Sequence, residues 1–424
     1  MKKTRRGFQR ILPLLFIFPF LIRADQAPDA ALWQRALALH RDALVIDTHC
    51  DTPMVMIRDP FDIGRRTDRS DVDLVRMREG GVDAMFFAVF VSNRQDDRQP
   101  SKVALAMIDE ILLQVEKNSG SAALARSSRD IVDLHAAGTS AILIGMENGG
   151  PLEGSLRLLR NFYRLGVRYI TLTHGSNNDI CDSSTDDAPR WNGLSPFGET
   201  VVAEMNRLGM MIDVSHISDE AFWDVIEHSR APVIASHSCA RTLCDVPRNL
   251  GDDMIRALAR QGGVMQINFY SGFLDPVYAE KSRRAEKEME PEIKKLKEMH
   301  KDDQNEYWKA LFQLWKQHAP PPPDLDILID HIDHVVRLVG EDFVGLGSDF
   351  DGAGSFPKGL EDVSGFPRIT HRLLERGYGD TAIRKILGGN LLRVFREVED
   401  VRDRIAAGDA GVKTRIRPTP EGVR

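Results

Sequence analysis

Eight short apolar segments rich in β-branched residues recur along the chain. They are residues 44–47, 84–90, 141–145, 169–173, 211–214, 233–235, 264–268 and 344–347. Each segment is apolar almost without interruption, whereas a strand with one face in water alternates apolar and polar positions. The pattern therefore predicts eight parallel strands that are buried on both faces.

Helical patterns separate these segments. Examples are residues 103–115, 155–165, 198–208, 219–227 and 252–260. Eight alternations of strand and helix predict an α/β fold of the closed (β/α)8, TIM-like barrel type. An open doubly wound sheet is the structural alternative, but eight parallel strands without a Gly-rich phosphate loop favour the barrel.

One segment interrupts this alternation. Residues 274–323 are highly charged and helix-prone, and they end in the run Pro320–Pro323. We interpret them as a helical insertion after the seventh strand, with a solvated helix face as the simplest interpretation and a lid or an oligomer contact as alternatives. The barrel domain is predicted to span residues 25–400, and residues 401–424 a frayed C-terminal tail.

The N-terminus has the organisation of a secretory signal peptide. Lys2, Lys3, Arg5 and Arg6 precede an apolar run over residues 11–22, and the small residue Ala24 follows. The run is shorter than the roughly 20 residues that span a bilayer. We predict a signal peptide over residues 1–24, export across the inner membrane to the periplasm, and no stable membrane span after cleavage. An uncleaved anchor is the alternative.

Composition narrows the class of protein. The chain has 424 residues and a net charge of -7, which does not match the basic surface of a nucleic-acid-binding protein. None of the four cysteines (Cys50, Cys181, Cys239 and Cys244) forms a CxxC pair. We interpret them as small buried thiols, with one or two disulfides as the alternative.

Residues able to bind metal ions follow the predicted strands. His49 and Asp51 follow the first strand, Glu147 the third, His216 the fifth and His237 the sixth. In a (β/α)8 barrel the C-terminal ends of the strands form the face on which active sites are built. Imidazole nitrogens and carboxylate oxygens are zinc ligands, and one carboxylate can bridge two ions. Together these residues predict a metal-binding site at the mouth of the barrel.

Further polar residues occupy the same face. An aspartate after the eighth strand could handle protons, but alternation of side chains does not distinguish Asp349 from Asp351. His174 follows the fourth strand and could stabilise an oxyanion. Arg248 lies in the loop after the sixth strand and could hold a substrate carboxylate with its planar guanidinium.

Seven ordered motifs resemble those of the membrane dipeptidase (renal dipeptidase-type) family of zinc peptidases, and the chain looks like a bacterial member. The motifs are IDTHCD, GMENG, LTHGSNN, DVSHISD, ASHSCAR, VPRN and GSDFDG, and the resemblance covers residues 44–395. It implies dipeptide substrates and two zinc ions per chain. Because the family is often dimeric, a homodimer is also among the expected partners.

The resemblance also implies roles for individual residues. His49 and Asp51 would hold one zinc ion, His216 and His237 the other, and Glu147 would bridge the two. Asp349 matches the family's acid–base aspartate. His174 matches its substrate-polarising histidine, and Arg248 the arginine that binds the dipeptide's terminal carboxylate.

The chain departs from the family in two respects. The cysteines do not match both ends of the disulfides of the mammalian members, and no lipid-anchor signal is present. Phe273 stands where a substrate-site tyrosine is expected, while Tyr270 of the same run is a candidate substrate-binding residue. The preferred side chains of the substrate therefore stay open.

The predicted function is zinc-dependent hydrolysis of dipeptides through a metal-bridging hydroxide. A related amidohydrolase acting on a lactone, a cyclic amide or an N-acyl amino acid is the alternative enzyme. In that case the Arg248 loop would have no carboxylate to hold. A non-catalytic, zinc-dependent binding protein of the cell envelope is the alternative of another class, and the presence of Asp349 beside every metal ligand argues against it.

Overall fold

The structure is a computed structural model in which residues 30–92, 99–301 and 303–408 are described. Within these ranges nine strands form one parallel sheet. They are β1 (Ile46–Cys50), β2 (Ala84–Phe90), β3 (Ala122–Leu124), β4 (Ser140–Glu147), β5 (Val167–Thr171), β6 (Met211–Asp213), β7 (Ile234–Ser238), β8 (Val264–Ile267) and β9 (Val344–Leu346). Eight of them correspond to the predicted segments.

The sheet closes on itself as a barrel. Its strand order is β1-β2-β4-β5-β6-β7-β8-β9, and the short β3 pairs only with β4, outside this path. A parallel bridge between Cys50 and Phe350, just beyond β9, joins the last strand to the first. The predicted (β/α)8 barrel is confirmed, and the short β3 strand is the element that the apolar pattern does not predict.

Sixteen α-helices accompany these strands in the described residues. They are α1 (Ala30–Asp42), α2 (Thr52–Arg58), α3 (Leu74–Glu79), α4 (Pro100–Lys117), α5 (Ser128–Ala136), α6 (Leu156–Leu165), α7 (Pro196–Leu208), α8 (Asp219–His228), α9 (Asp252–Arg260), α10 (Ser271–Leu274), α11 (Pro276–Met299), α12 (Gln304–His318), α13 (Asp326–Val339), α14 (Pro367–Glu375), α15 (Asp380–Arg384) and α16 (Asn390–Ala406). Side-chain caps from Ser195 and Ser218 start α7 and α8, the helices that flank β6.

Alternate residues of one strand contribute to two different cores. On β2, Met85 and Phe87 pack in the larger core, together with buried residues of the surrounding helices. Ala84 and Phe86 of the same strand pack in a second core, which also contains Phe395 of α16. Because both faces of β2 are covered by apolar groups, its sequence is apolar at nearly every position.

The charged insertion forms two helices after β8. Helices α11 and α12 occupy most of residues 274–323, as the charge pattern indicates. Met289 of α11 and Leu311 and Leu314 of α12 are largely buried, whereas Met299 and Trp308 are exposed. Helices α11 and α12 contact each other, and the insertion therefore buries part of its apolar surface.

The structure describes part of the predicted C-terminal tail but none of the predicted signal peptide. Helix α16 continues through Ala406, and Val401 is buried, so the tail boundary predicted at residue 401 lies inside a helix. The predicted signal peptide over residues 1–24 and most of the predicted tail lie outside the described residues.

All four cysteines are buried and none is disulfide-bonded. Across the described ranges, every helix is too short or too polar to cross a membrane.

Candidate active site

The predicted metal ligands meet at the C-terminal ends of the barrel strands. His49 lies within β1, His237 within β7, and Glu147 is the last residue of β4. Asp51 and His216 lie just beyond the ends of β1 and β6. His216 is about a tenth exposed, and the other four side chains are almost completely buried. Parallel strands bring these ends together although the residues are far apart in sequence.

Glu147 stands at the centre of this group. Its Oε1 atom lies 3.0 Å from His216 Nε2 and 3.3 Å from His237 Nε2. Its other oxygen, Oε2, lies 3.5 Å from His49 Nε2, which is 3.4 Å from Asp51 Oδ2. Each carboxylate oxygen therefore faces a different set of donor atoms.

The spacing of these atoms fits zinc. Two ligands that are each about 2.0–2.1 Å from one tetrahedral zinc ion stand roughly 3.3 Å apart. The measured separations scatter around this value, including 2.9 Å between the Nε2 atoms of His216 and His237. His49 Nε2 and Asp51 Oδ1 are buried without a hydrogen-bond partner among the described residues. Buried polar atoms of this kind are costly unless a ligand satisfies them.

Grouping the donor atoms by distance alone does not reproduce the two predicted sets of zinc ligands. Among the described residues, donor atoms within 4.8 Å of one another form three overlapping groups, and His49 shares one with Glu147 and His237. His216 shares another with Glu147 and His174. The separate use of the two Glu147 oxygens favours the division in which His216 and His237 lie on one side and His49 on the other.

The pKa values of the three ligand histidines are shifted in different directions. Burial, followed by nearby positive charge, lowers the pKa of His216 and of His237 well below the usual value. Burial also acts to lower the pKa of His49, but the neighbouring oxygens of Tyr169 and Glu147 outweigh it and raise that pKa well above the usual range. Neutral imidazole is the form that binds a metal ion, so a cation would replace a proton at His49.

The carboxylates respond to the same environment. Burial alone raises the pKa of Glu147, but four surrounding histidines outweigh it and hold that pKa well below the usual value. For Asp51, burial and the charge of Glu147 raise the pKa to about 8. Burial likewise raises the pKa of Asp349 to about 6. Several carboxylates crowded into one buried space favour a bound cation, which relieves their repulsion.

The structure distinguishes Asp349 from Asp351, which side-chain alternation does not. Asp349 Oδ2 accepts a hydrogen bond of 2.8 Å from Asn268, and Asp349 lies in the same donor group as His49 and Asp51. Both Asp349 and Asp351 have a φ of 66°, so the chain beyond β9 is not extended and side-chain alternation does not apply to it.

Asp351 belongs to a structural network instead. Its Oδ2 atom accepts hydrogen bonds from the hydroxyl groups of Thr52 and Ser70, and its Oδ1 atom accepts one from the backbone N–H of Asp71. These contacts tie the loop after β9 to the segment between α2 and α3. Gly352 follows, and a Cβ atom there would stand 2.1 Å from Asp51 Oδ2, so this position needs glycine.

His174 and Arg248 border the same space. About a third of the His174 side chain is exposed, and its Nε2 atom is 3.6 Å from Glu147 Oε1. The Arg248 guanidinium donates to the carbonyl of His237 at 2.9 Å and to Ser238 Oγ at 3.1 Å. Its Nε atom is buried with no partner among the described residues. Part of this cation therefore stays available to an anionic group.

Tyr270 and Phe273 form an aromatic pair beside Arg248. Their rings pack edge to face with centroids 4.8 Å apart, and the Arg248 guanidinium carbon lies 5.4 Å from the Phe273 ring centroid. The Tyr270 side chain hydrogen-bonds to Ser282 of α11, and burial raises its pKa to about 12. The insertion helix thus contacts the residue that was predicted to bind substrate.

Sequence reasoning does not single out every residue that shapes the site. Asn268 contacts Asp349, and the signal for it is its place at the end of the predicted strand 264–268. Tyr169 and Ser236 hydrogen-bond to His49 and His237. Both residues lie within strands, and no sequence motif distinguishes them. Only the closed barrel brings the Tyr169 side chain on β5 within hydrogen-bonding distance of His49 on β1.

Comparison with known proteins gives a family that matches most of the chain. Residues 33–408 match the family described as membrane dipeptidase, peptidase family M19. Dipeptidase 3 of Rattus norvegicus is 36% identical over 386 residues, which cover 89% of this chain and 69% of the relative. Dipeptidase verJ of Clonostachys rogersoniana is 35% identical, with 87% of each chain covered.

Solved structures are similar as well. The probable dipeptidase PvdM from Pseudomonas aeruginosa superimposes with a TM-score of 0.75 at 30% identity, covering 88% of this chain and 99% of that one. A metallopeptidase from Rhodobacter sphaeroides, liganded with a phosphinate mimic of the dipeptide L-Ala-D-Ala, gives a TM-score of 0.69 at 25% identity. The match covers 84% of this chain and 99% of that one.

Proposed function

The chain belongs to the membrane dipeptidase family of metallopeptidases, and from this premise we propose that it cleaves dipeptides at a pair of zinc ions. His49 and Asp51 would hold one ion, His216 and His237 the other, and Glu147 would bridge them. The observation that carries the proposal is that the two Glu147 oxygens face different donor sets, 3.5 Å and 3.0–3.3 Å away.

The chemistry of the donor set supports zinc in particular. Three imidazoles and two carboxylates are ligands of the type that zinc accepts, and no thiol takes part. When bound, a pair of zinc ions supplies Lewis-acid activation of the water nucleophile and of the scissile carbonyl. The protein's own residues must then bind the dipeptide, move one proton and stabilise the developing negative charge.

Arg248 would bind the C-terminal carboxylate of the dipeptide. Its guanidinium has five N–H groups, and the two hydrogen bonds to His237 and Ser238 leave others to donate. Because the cation is only 4% exposed, a carboxylate beside it would be held in a site of low dielectric. A carboxylate bound at this depth limits substrates to short peptides.

Asp349 and His174 would act on the reacting groups. Asn268 engages Asp349 Oδ2, which leaves Oδ1 to accept a proton from water and deliver it to the leaving amine. His174 packs against Phe90 and His216, with ring centroids 4.5 and 4.2 Å away, and these contacts orient its ring. From there it would donate a hydrogen bond to the carbonyl oxygen as negative charge develops.

The N-terminal sequence supports export. The basic residues before the apolar run and Ala24 after it are the pattern of a cleaved signal peptide, so the mature enzyme would act in the periplasm. The mass of the protein recovered from its own cells tests this proposal, because cleavage near Ala24 removes residues 1–24.

Metal content and substrate length, measured on one purified sample, test the function. We expect two zinc ions per chain and chelator-sensitive hydrolysis of L-Ala-L-Ala and L-Ala-D-Ala, but not of the matching tripeptides. Two bound zinc ions without dipeptide hydrolysis would move the substrate to another amide or to a lactone. A protein that binds no zinc after careful reconstitution would contradict the proposal at its base.

Replacing Arg248 by alanine is expected to raise KM for dipeptides by on the order of 10²-fold, because a buried charge-assisted bond to the carboxylate is lost. The loss should be much smaller for a dipeptide amide, which lacks that carboxylate. Arg168→Ala is the matched control, since Arg168 is also a buried arginine but lies near the start of β5, where it donates to the carbonyls of Arg126 and Tyr163. An unchanged KM for Arg248→Ala would refute the carboxylate role.

A further inference from the structure

We infer that two buried hydroxyl groups, those of Tyr169 and Ser236, determine which ring nitrogen of His49 and of His237 carries a proton. Each hydroxyl would keep a proton on Nδ1 and so reserve Nε2 for a metal ion. The inference rests on the proposed function, since it assigns positioning residues to the same metal site.

The Tyr169 hydroxyl links His49 to a backbone carbonyl. Its oxygen lies 2.8 Å from His49 Nδ1 and 3.1 Å from the carbonyl oxygen of Thr48. A carbonyl can only accept, so the single hydroxyl hydrogen is directed to Thr48. The hydroxyl oxygen must then accept from an N–H at His49 Nδ1. His49 Nε2, which faces Asp51 and Glu147, is left with the lone pair that binds a metal ion.

The Ser236 hydroxyl does the same for His237, with a carboxylate in place of the carbonyl. Ser236 Oγ lies 2.6 Å from Asp213 Oδ2 and 2.7 Å from His237 Nδ1. Because the hydroxyl hydrogen is directed to Asp213, Ser236 Oγ accepts from His237 Nδ1–H. His237 Nε2 then keeps its lone pair on the side where a metal ion would bind, 3.3 Å from Glu147 Oε1 and 2.9 Å from His216 Nε2.

Asp213 is held in position by further donors. Its carboxylate also accepts hydrogen bonds from Thr171 Oγ1 and from the backbone N–H groups of Ser215 and Ser236. With Ser236 Oγ these contacts direct donors at both of its oxygens. The Asp213 carboxylate, which accepts the Ser236 hydroxyl hydrogen, is therefore held by donors from β5, from β7 and from Ser215 just beyond β6. It cannot turn away without losing several hydrogen bonds.

Removal of either hydroxyl leaves a buried imidazole whose proton can lie on Nδ1 or on Nε2. Nδ1–H would lose its acceptor, and the proton would be as stable on Nε2, the atom that must be unprotonated to bind a metal ion. Tyr169 also packs against Phe86, so phenylalanine at this position keeps the ring and removes only the hydroxyl.

Zn²⁺ affinity of the metal-free protein tests the inference without using activity. The wild type, Tyr169→Phe and Ser236→Ala are stripped of metal and titrated with Zn²⁺ against a chromophoric chelator. Co²⁺ absorption then reports the coordination of each site. We expect each variant to weaken one of the two binding steps by about 10–100-fold and to alter the Co²⁺ bands, while the other step is kept.

Thr370→Val is the matched control. Thr370 Oγ1 lies 2.7 Å from Nδ1 of His40, a buried histidine outside the metal site, so the control removes a hydroxyl of the same kind. It should bind both metal ions as the wild type does. Wild-type affinities and Co²⁺ bands in both site variants, or equal losses in Thr370→Val, would overturn the inference and leave the proposed function intact. A wild type that binds no metal would remove both.

Discussion

Asp349→Asn is expected to lower kcat for dipeptide hydrolysis by about 10²–10⁴-fold, with two zinc ions still bound and KM nearly unchanged. Asparagine keeps the shape of the side chain and can still contact Asn268, but it cannot take up a proton from water. Burial raises the pKa of Asp349 to about 6, and the charge of bound zinc ions would act in the opposite direction and favour the carboxylate that accepts a proton. Steady-state kinetics together with metal analysis check this prediction.

Asp351→Asn is the control, because it makes the same chemical change two residues away. Asp351 bonds to Thr52, Ser70 and Asp71 and takes no proposed part in proton transfer. This variant should lose about 1–3 kcal/mol of stability through its weakened hydrogen bonds but retain kcat within about tenfold. Equal losses of kcat in the two variants would argue that the loop conformation matters, and not proton transfer by Asp349.

Glu147→Gln is expected to reduce bound zinc from two ions to one or none, and to lower kcat/KM by on the order of 10³-fold or more. The physical reason is that Glu147 is the carboxylate facing both donor sets, so a neutral amide removes the shared negative charge from between two dications. Zinc per chain by elemental analysis and kcat/KM on the same sample measure the effect.

Glu204→Gln is the matched control for this substitution. Glu204 is also a largely buried glutamate, but it forms ion pairs with Arg160 and Arg207 on the outside of the barrel. Its substitution should cost stability and leave zinc content unchanged. Two tightly bound zinc ions in Glu147→Gln would show that the bridge belongs to another residue.

The barrel and most of the site follow from local features of the sequence. Strands buried on both faces must be apolar at nearly every position, so β2 and β4 can be recognised without knowing their neighbours. Polar residues at the ends of such strands, as at Glu147 and His237, stand out because packing does not explain them. The chain also matches family motifs, and these assign roles that the residues alone leave open.

Other features depend on contacts that a local pattern does not contain. An extended chain would place Asp349 and Asp351 on one face, but both have a φ of 66°. Their contacts distinguish them, because Asp349 bonds to Asn268 and Asp351 bonds to Thr52 and Ser70. Helix α16 continues past the predicted tail boundary because Val401 is buried in the second core, with Phe86 and Phe395, and charge and composition do not reveal this contact. Strand β3 has only three residues and pairs on one side, so its apolar signal is weak.

The alternation of strand and helix, the residue types at the mouth of the barrel and the family all follow from the amino-acid sequence. Which atoms face one another depends on the tertiary structure. It directs the two oxygens of Glu147 toward separate donor sets and brings Asn268 against Asp349. It also places the hydroxyl groups of Tyr169 and Ser236 beside Nδ1 of His49 and of His237. A strand pattern specifies only which face a side chain lies on, whereas hydrogen bonds and metal coordination require two atoms on strands remote in sequence to be placed to within a few tenths of an ångström.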